Sequence, residues 1–352
     1  MPAGWYQRVS PRQHHAAARL GGIESKYHAH KEVRNVTDQT AGATVGSSKP
    51  SAKAKTKPKY NKRDTRTFYL LISPWIIGFL AFTLGPMAYS VYIAMTKWNM
   101  ISPPKFVGLA NFKYMFTTDP LFWKTLTITL IYTFTSVPLG LVVAIGLAML
   151  MKQKIRGIGV FRTFYYIPSV ISGVAISMLW SYLFNKDFGL VNSALEAVKI
   201  PPFGWFGSSS TALATFVLVS CYGVGTTAII MLAGLKDIPD TYYESAQIDG
   251  AGRMGSFFHI SLPLLTPTIL FNLMMNLIAG FQIFTEALII TNGGPNNSTL
   301  FFNLYLYQNA FQYSNMGYAS SLAWVLFIIT FAVSIFIFRF SNRWVYYEGG
   351  EK

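Results

Sequence analysis

The chain has 352 residues, of which 52% are hydrophobic, 16% aromatic and only 12% charged, and its mean hydropathy is +0.35. A soluble domain carries about 25% charged residues, so this composition excludes an ordinary soluble protein and indicates that lipid is the solvent. The net charge of +15 does not indicate nucleic-acid binding, because 14 of the 29 Lys and Arg residues precede Phe68. The one cysteine, Cys221, excludes a disulfide within the chain.

Residues 1–66 are predicted to form a basic, disordered tail on the cytoplasmic side of a membrane. They show no helical or strand period and contain AGATVGSSKPSAKAKTKPKYNKR, a stretch rich in Lys, Ser, Pro and Ala. Such a composition offers little apolar surface to bury, and it lacks the apolar core of a signal peptide. Two interpretations stay open: a solvated tail, or a segment that binds the anionic headgroups of membrane lipid.

Six later segments are apolar and long enough for a membrane helix, which needs about 20 residues. The predicted fold is an all-α polytopic membrane protein, with six transmembrane helices within residues 67–343 and a short cytoplasmic C-terminus, 344–352. The predicted spans are 68–96, 126–151, 163–184, 211–235, 264–291 and 318–338. Lys and Arg residues cluster in the tail, within 152–162 and at Arg339 and Arg343, so the positive-inside rule predicts that both termini are cytoplasmic.

The polar interruption at residues 236–263 is then a cytoplasmic loop between spans four and five. Pro239 suits the first turn of a helix and Gly250 suits its end. We therefore predict one short helix between these residues and a second over 252–260, which ends before Pro263. Small residues around Gly250 leave room for a partner to approach. The pattern fits two interpretations equally well: a docking surface, or an amphipathic connector between two spans.

Glu286 is the only acidic residue inside a predicted span, where a charge is costly unless it faces protein or water. At helical spacing it shares a stripe with Gln282 and, more roughly, with Asn276 and Asn272. Tyr222 adds a polar group from span four. Amides, a carboxylate and nearby aromatic rings suit the hydroxyl groups of a sugar, so these five residues are candidates for a substrate pathway. The alternative is a hydrogen-bonded seam between helices.

The stretch ESAQIDGAGRMGSFFHISLPLLTP closely resembles the coupling loop of bacterial ABC importer permeases. The family pattern is Glu-Ala-Ala, a Gly after three intervening residues, and Ile-x-Leu-Pro after nine more; a Ser here replaces the first Ala. The corresponding positions are Glu244, Ser245 (in place of the first Ala), Ala246, Asp249, Gly250, Ala251, Ile260, Leu262 and Pro263. Other stretches, among them FVGLANFKYMF and FTEALIITNGGPNN, match in the same order. The whole set is similar to the maltose-type, sugar-permease branch.

The resemblance implies that this chain is a non-catalytic subunit of an importer in the bacterial plasma membrane. A second permease subunit would pair with it as a heterodimer, and two cytoplasmic ATPase subunits would bind ATP and Mg²⁺ and engage the loop. An extracellular solute-binding protein would deliver the sugar or oligosaccharide. The chain itself would need no cofactor or metal and would bind no nucleic acid. Its sequence contains no P-loop motif, so it is not the ATPase.

Two other classes of membrane protein are compatible with parts of this pattern. An ion- or proton-coupled secondary transporter could use Glu286 as its proton site. Such carriers often have interrupted spans at corresponding positions of their two halves, whereas the two halves of this sequence show no paired, interrupted short spans. A non-transporting scaffold or sensor would not need a carboxylate inside the membrane. Dependence on ATP and co-purification with an ATPase separate these classes.

Overall fold

The computed structural model describes residues 62–153 and 155–346. Most of the tail predicted to be disordered, and residues 347–352, lie outside this part of the chain. The first helix begins at Lys62, five residues before the predicted start of the membrane domain at residue 67. Residues 62–67 contain neither Pro nor Gly, so no helix-breaking residue stands at the edge of the apolar segment.

The described residues are helical almost throughout. The helices are α1 (Lys62–Phe79), α2 (Gly85–Ala94), α3 (Ala110–Thr117), α4 (Pro120–Lys152), α5 (Ile158–Tyr166), α6 (Gly173–Leu183), α7 (Leu190–Ala197), α8 (Ala212–Ser220), α9 (Gly225–Asp237), α10 (Asp240–Ile248), α11 (Arg253–Ser256), α12 (Leu262–Phe281), α13 (Thr285–Ile290), α14 (Phe302–Tyr307) and α15 (Met316–Ser341). Short 3₁₀ or π segments lie at Leu80–Leu84, Ile167–Ser169, Trp205–Gly207, Cys221–Gly223, Phe257–Ser261 and Gln308–Gln312. Two short strands, β1 (Thr96–Lys97) and β2 (Lys105–Phe106), pair antiparallel.

By length and composition, four helices can cross a membrane, and two bent helix pairs can each form one further span. The four helices are Thr65–Ala94, Pro120–Lys152, Arg253–Ile290 and Met316–Ser341. The bent pairs are Ile158–Ser169 with Gly173–Leu183, at 93°, and Ala212–Gly223 with Gly225–Asp237, at 48°. The all-α, multi-span fold predicted from the sequence is therefore confirmed, and each predicted span overlaps one of these segments.

Spans three and four are each interrupted by a bend between two helices. In span three, Pro168 lies in a 3₁₀ turn and has no backbone amide to continue the helical hydrogen bonds. In span four, the turn Cys221–Gly223 precedes α9, which begins at Gly225. A β-carbon on Gly225 would overlap the Tyr165 carbonyl oxygen and would lie 2.9 Å from the Ser169 hydroxyl oxygen. The two breaks thus pack against each other where Gly225 lacks a side chain.

We expect Gly225→Ala to lower the thermal stability of the purified protein, because the two backbones would have to move apart. Overpacking of this kind costs roughly 1–3 kcal/mol. The matched control is Gly223→Ala, since a β-carbon there would have no described atom within 4 Å beyond its own chain neighbours. Thermal unfolding in detergent should give a lower Tm for the first variant only. Equal Tm values for both variants would contradict the close approach of the two breaks.

Helix α4 is the centre of the packed unit that begins at Ile72, and it packs most extensively against α9 and α12. The first half of α4 also packs against residues 301–302, in the segment that follows span five. The Phe122 ring is 5.8 Å from that of Phe302, and the Tyr132 ring is 5.1 Å from that of Phe301, both edge-to-face. The Phe302 amide donates to Thr129 Oγ1 at 2.8 Å. These contacts fix the segment against one side of the bundle.

A buried carboxylate joins three helices at the start of α4. Asp119 caps this helix, because its Oδ1 accepts a hydrogen bond from the Leu121 amide at 2.9 Å. Its Oδ2 accepts hydrogen bonds from the phenols of Tyr305 in α14, at 2.8 Å, and Tyr318 in α15. Burial and the bond to Asp119 raise the pKa of Tyr305 well above its usual value, so this phenol remains a donor. The cap also explains why α4 begins earlier than the predicted start at 126.

Candidate functional site

The first helix predicted for the 236–263 loop corresponds to α10. It ends in a Schellman motif, in which Gly250 adopts a φ of +78°. The Gly250 amide donates to the Gln247 carbonyl at 3.1 Å, and the Ala251 amide donates to the Ala246 carbonyl at 2.8 Å. Residues with a β-carbon are strained at such a φ. Glycine therefore ends α10 sharply and turns the chain into α11.

The second helix predicted for the loop is not a separate element. Helix α11 has four residues and continues through the π segment Phe257–Ser261 into α12. The predicted break before Pro263 is wrong, because the π segment widens the helix just before it. The Leu262 amide bonds five residues back, to the Phe257 carbonyl, and this wider turn relieves the clash that a proline ring makes with the preceding turn. The second half of the loop is therefore continuous with span five.

Tyr243 links one face of α10 to two membrane spans through hydrogen bonds. Its hydroxyl lies 2.9 Å from Ser261 Oγ and accepts a hydrogen bond from Lys152 Nζ at 3.1 Å. The same ammonium group lies 4.2 Å from the centroid of the Tyr243 ring, a distance typical of a cation–π interaction. Because Lys152 ends α4 and Ser261 precedes α12, one side chain connects the loop helix to two spans.

The other side of the loop carries apolar side chains exposed to solvent. Ile248 is 88% exposed, Met254 71% and Phe258 54%. The side chains of Glu244 and Asp249 on the same loop are also exposed. We call these five residues the exposed loop surface. Several large exposed apolar side chains with charges among them are typical of a protein-interaction surface.

The structure divides the predicted coupling residues into two groups. Those exposed are Glu244, Ser245, Asp249 and Gly250. Those half-buried are Ala246, Ala251, Ile260, Leu262 and Pro263. Ile260 packs against the buried apolar cluster around Leu235 and Leu265, so its contacts hold the loop in place. The sequence-based prediction did not include Ile248, Met254 and Phe258. They could have been identified as apolar residues of a polar loop that do not lie on the Tyr243 face.

A cavity of about 440 Å³ lies where the two bent spans meet α4 and the end of α12. This volume is in the range of small-molecule sites. Asn272 does not line this cavity: it is buried, and its amide donates to the Thr268 carbonyl one turn back, at 2.9 Å. The other four predicted pathway residues line the cavity: Tyr222, Asn276, Gln282 and Glu286.

Gln282 and Glu286 reach the cavity through a break in span five rather than along the predicted continuous stripe. Helix α12 ends at Phe281 and α13 begins at Thr285. In membrane proteins, non-helical backbone occurs at this depth where it is buried in protein or lines a cavity. Glu286 lies in the first turn of α13, where the helix dipole favours a negative charge. It is the only ionisable acid or base among the described residues of the lining, tyrosines aside.

The remaining polar and aromatic groups come from segments far apart in the sequence. The Asn276 amide donates to Thr227 Oγ1 at 3.2 Å and to the Asn272 carbonyl at 2.8 Å. Trp180 packs edge-to-face on Tyr222, with ring centroids 5.1 Å apart. Further lining residues are Tyr132, Ser136, Phe216, Ser220 and Phe284. Their sequence signal is weak, because small polar residues in spans more often indicate helix packing and a Trp near a span end more often marks the membrane interface.

The fold and these two sites define a multi-pass membrane protein with a polar cavity among its spans and an anchored loop helix. Residues 136–346 match the model of the binding-protein-dependent transport system inner membrane component. The chain belongs to this family. It is 42% identical over 305 residues to the probable ABC transporter permease protein YesP of Bacillus subtilis strain 168, an alignment that covers 86% of this chain and 98% of YesP.

Another relative and one solved structure extend this likeness. The arabinooligosaccharides transport system permease protein AraP of Bacillus subtilis strain 168 is 32% identical, over 78% of this chain and 88% of AraP. The crystal structure of a bacterial alginate ABC transporter, in complex with an alginate pentasaccharide-bound periplasmic protein, matches with a TM-score of 0.70. That match covers 80% of this chain and 96% of the other, at 23% identity. At this identity the match shows a shared fold.

Proposed function

We propose that this chain is one permease subunit of an ATP-driven importer of a sugar or oligosaccharide. It forms half of the translocation pathway, and a second, different permease forms the other half. Family membership supports the transport role. The sugar class is supported by the relative named for arabinooligosaccharides and by the polar and aromatic lining of the cavity.

The observation that carries the coupling role is the attachment of α10 to two spans through Tyr243. In the proposal, the exposed loop surface docks in a groove of a cytoplasmic ATPase subunit. ATP and Mg²⁺ are bound by that partner, and its movement on ATP binding carries α10 with it. Because Tyr243 contacts Lys152 and Ser261, and α11 continues into α12, the displacement reaches α4 and span five. The positive-inside distribution of Lys and Arg supports placing this loop, and both termini, in the cytoplasm.

The cavity supplies the groups that a sugar requires. Glu286 and Gln282 offer hydrogen-bond acceptors and donors for hydroxyl groups. Trp180, Tyr222 and Phe284 offer aromatic faces for the apolar side of the sugar ring. The substrate reaches this site from an extracellular solute-binding protein, as the inner-membrane component of a binding-protein-dependent system requires.

Reconstituted transport tests this function. The chain is co-expressed with the permease and ATPase subunits that co-purify with it, and uptake of labelled oligosaccharides into proteoliposomes is measured with the solute-binding protein present. We expect uptake only with ATP and Mg²⁺, and no effect of a proton uncoupler. Uptake that continues without ATP hydrolysis and collapses with the uncoupler would contradict the proposal.

That second outcome is the one expected of the secondary-transporter alternative with Glu286 as a proton site. The bends in spans three and four are a feature that such carriers can also have, and they do not argue against that alternative. Family membership does, because the matched family and the relatives reported above are subunits of binding-protein-dependent or ABC transport systems. No comparison with known proteins supports proton coupling.

We expect Glu286→Ala to reduce sugar uptake by about tenfold to a hundredfold, the effect of losing a hydrogen bond to a charged group. Glu286→Gln should retain much of the uptake, because the amide can still bond a hydroxyl group. The control is Glu196→Gln, since Glu196 is exposed on α7 away from the cavity. Initial uptake rates over a range of substrate concentrations provide the readout. Complete loss in Glu286→Gln, with normal assembly, would favour a proton site.

A further inference from the structure

A second cavity, of about 720 Å³, lies between α12 and the last half of α15. Its lining is divided by chemistry. One part consists of apolar side chains, among them Met274 of α12 and Phe331, Ile335 and Phe338 of α15. The other part is the last turn of α15 and the residues after it, with two arginines and an asparagine. We call this cavity the basic groove.

The basic part of the groove presents converging hydrogen-bond donors. Arg339, Asn342 and Arg343 are spaced i, i+3 and i+4, so their side chains lie on one face of the chain. All three are exposed, and none of the described residues that line the groove is acidic. The Arg343 guanidinium lies 4.7 Å from the centroid of the Phe340 ring, which holds it near the helix. Two guanidinium groups in this arrangement suit a phosphate.

The apolar part of the groove suits a hydrocarbon chain. Phe331, Ile335 and Phe338 follow i, i+4, i+7 spacing and are exposed, which places an apolar stripe on the face that leads to the arginines. Ser334 lines the same groove, and its hydroxyl is buried without a hydrogen-bond partner among the described residues. It lies five residues before Arg339, about 7.5 Å along the helix axis. An unpaired hydroxyl at this depth suits an ester carbonyl below a phosphate.

We propose that the basic groove is a binding site for one anionic phospholipid. Its phosphate contacts Arg339 and Arg343, its glycerol esters lie near Ser334, and an acyl chain follows Phe331 and Ile335. Charge and polarity complementarity select this occupant. A neutral lipid would leave two arginines without a negative partner, and a free phosphate would leave the apolar stripe uncovered. Basic sites between membrane helices are known to bind anionic headgroups.

Native mass spectrometry of the delipidated transporter complex tests this proposal by lipid titration. We expect dioleoyl-phosphatidylglycerol to bind at least tenfold more tightly than dioleoyl-phosphatidylcholine. Arg339→Gln with Arg343→Gln should weaken phosphatidylglycerol binding roughly thirtyfold, from the contribution of each basic side chain near an anionic lipid. The matched control, Arg156→Gln with Lys236→Gln, removes two exposed cations outside the groove and should change little.

Two further binding measurements identify which part of the lipid the groove recognises. Ser334→Phe fills the apolar part without changing charge and should weaken binding of the long-chain lipid. Short-chain dihexanoyl-phosphatidylglycerol and inorganic phosphate should bind far more weakly than the long-chain lipid. Equal binding of the anionic and neutral lipids, full displacement by phosphate, or unchanged binding in the double arginine variant would each overturn the proposal. The comparison of lipids on the unaltered complex decides the matter even if a variant fails to assemble.

Discussion

Ile248→Asp is expected to reduce sugar uptake at least tenfold while the permease remains folded in the membrane. Ile248 is 88% exposed in α10, so an aspartate there costs little folding free energy. In the proposed complex the same position is buried against an ATPase subunit. An unpaired carboxylate buried there is costly, and loss of a central apolar anchor removes about 2 kcal/mol or more of binding free energy. We expect at least a tenfold loss of ATPase co-purification and of uptake.

The control for this prediction is Ile101→Asp. Ile101 is 90% exposed, in the turn between β1 and β2 and outside the 236–263 loop. The two substitutions are therefore matched in chemistry and exposure. Pull-down of the ATPase through a tag on this chain provides the first readout, and ATP-dependent uptake the second. If Ile248→Asp and Ile101→Asp retain the same amount of ATPase, the exposed loop surface is not the docking site.

Asp119→Ala is expected to destabilise the protein by about 2–4 kcal/mol, because it removes a helix cap and leaves two phenols without their acceptor. The carboxylate is buried and joins α4 to Tyr305 and Tyr318. Asp187→Ala is the control, since Asp187 is exposed in the turn before α7. Thermal unfolding of the purified protein should show a large drop in Tm for the first variant and little change for the second.

A double-mutant cycle separates two contributions of Asp119 to stability: its hydrogen bonds to the phenols and its cap on the Leu121 amide. Tyr305→Phe should be less harmful in the Asp119→Ala background than in the original protein, because the unpaired phenol is removed at the same time. The helix cap at Leu121 is unaffected by that second change. Strictly additive losses of stability would contradict the shared hydrogen-bond network.

The sequence correctly indicated features that depend on local composition. Apolar segments of about 20 residues identified the spans, and the positions of Pro239 and Gly250 predicted α10 and its end. The same reasoning failed at Pro263, where a π segment accommodates the proline within a continuous helix. Asn272 lies outside the cavity lining, because its amide bonds one turn back. Both outcomes depend on which backbone carbonyl accepts a hydrogen bond, and residue type alone does not determine that.

The sequence by itself determined the membrane environment, the helical fold and the loop motif. Hydropathy, helix-ending residues and motif spacing are all properties of short stretches of chain. Only the tertiary structure decided which residues share the cavity and which acid is buried. Tyr305 and Tyr318 lie 186 and 199 residues from Asp119, yet both bond to it. Neither contact leaves a periodic signal, because the position of each partner depends on how helices separated in the chain pack against α4.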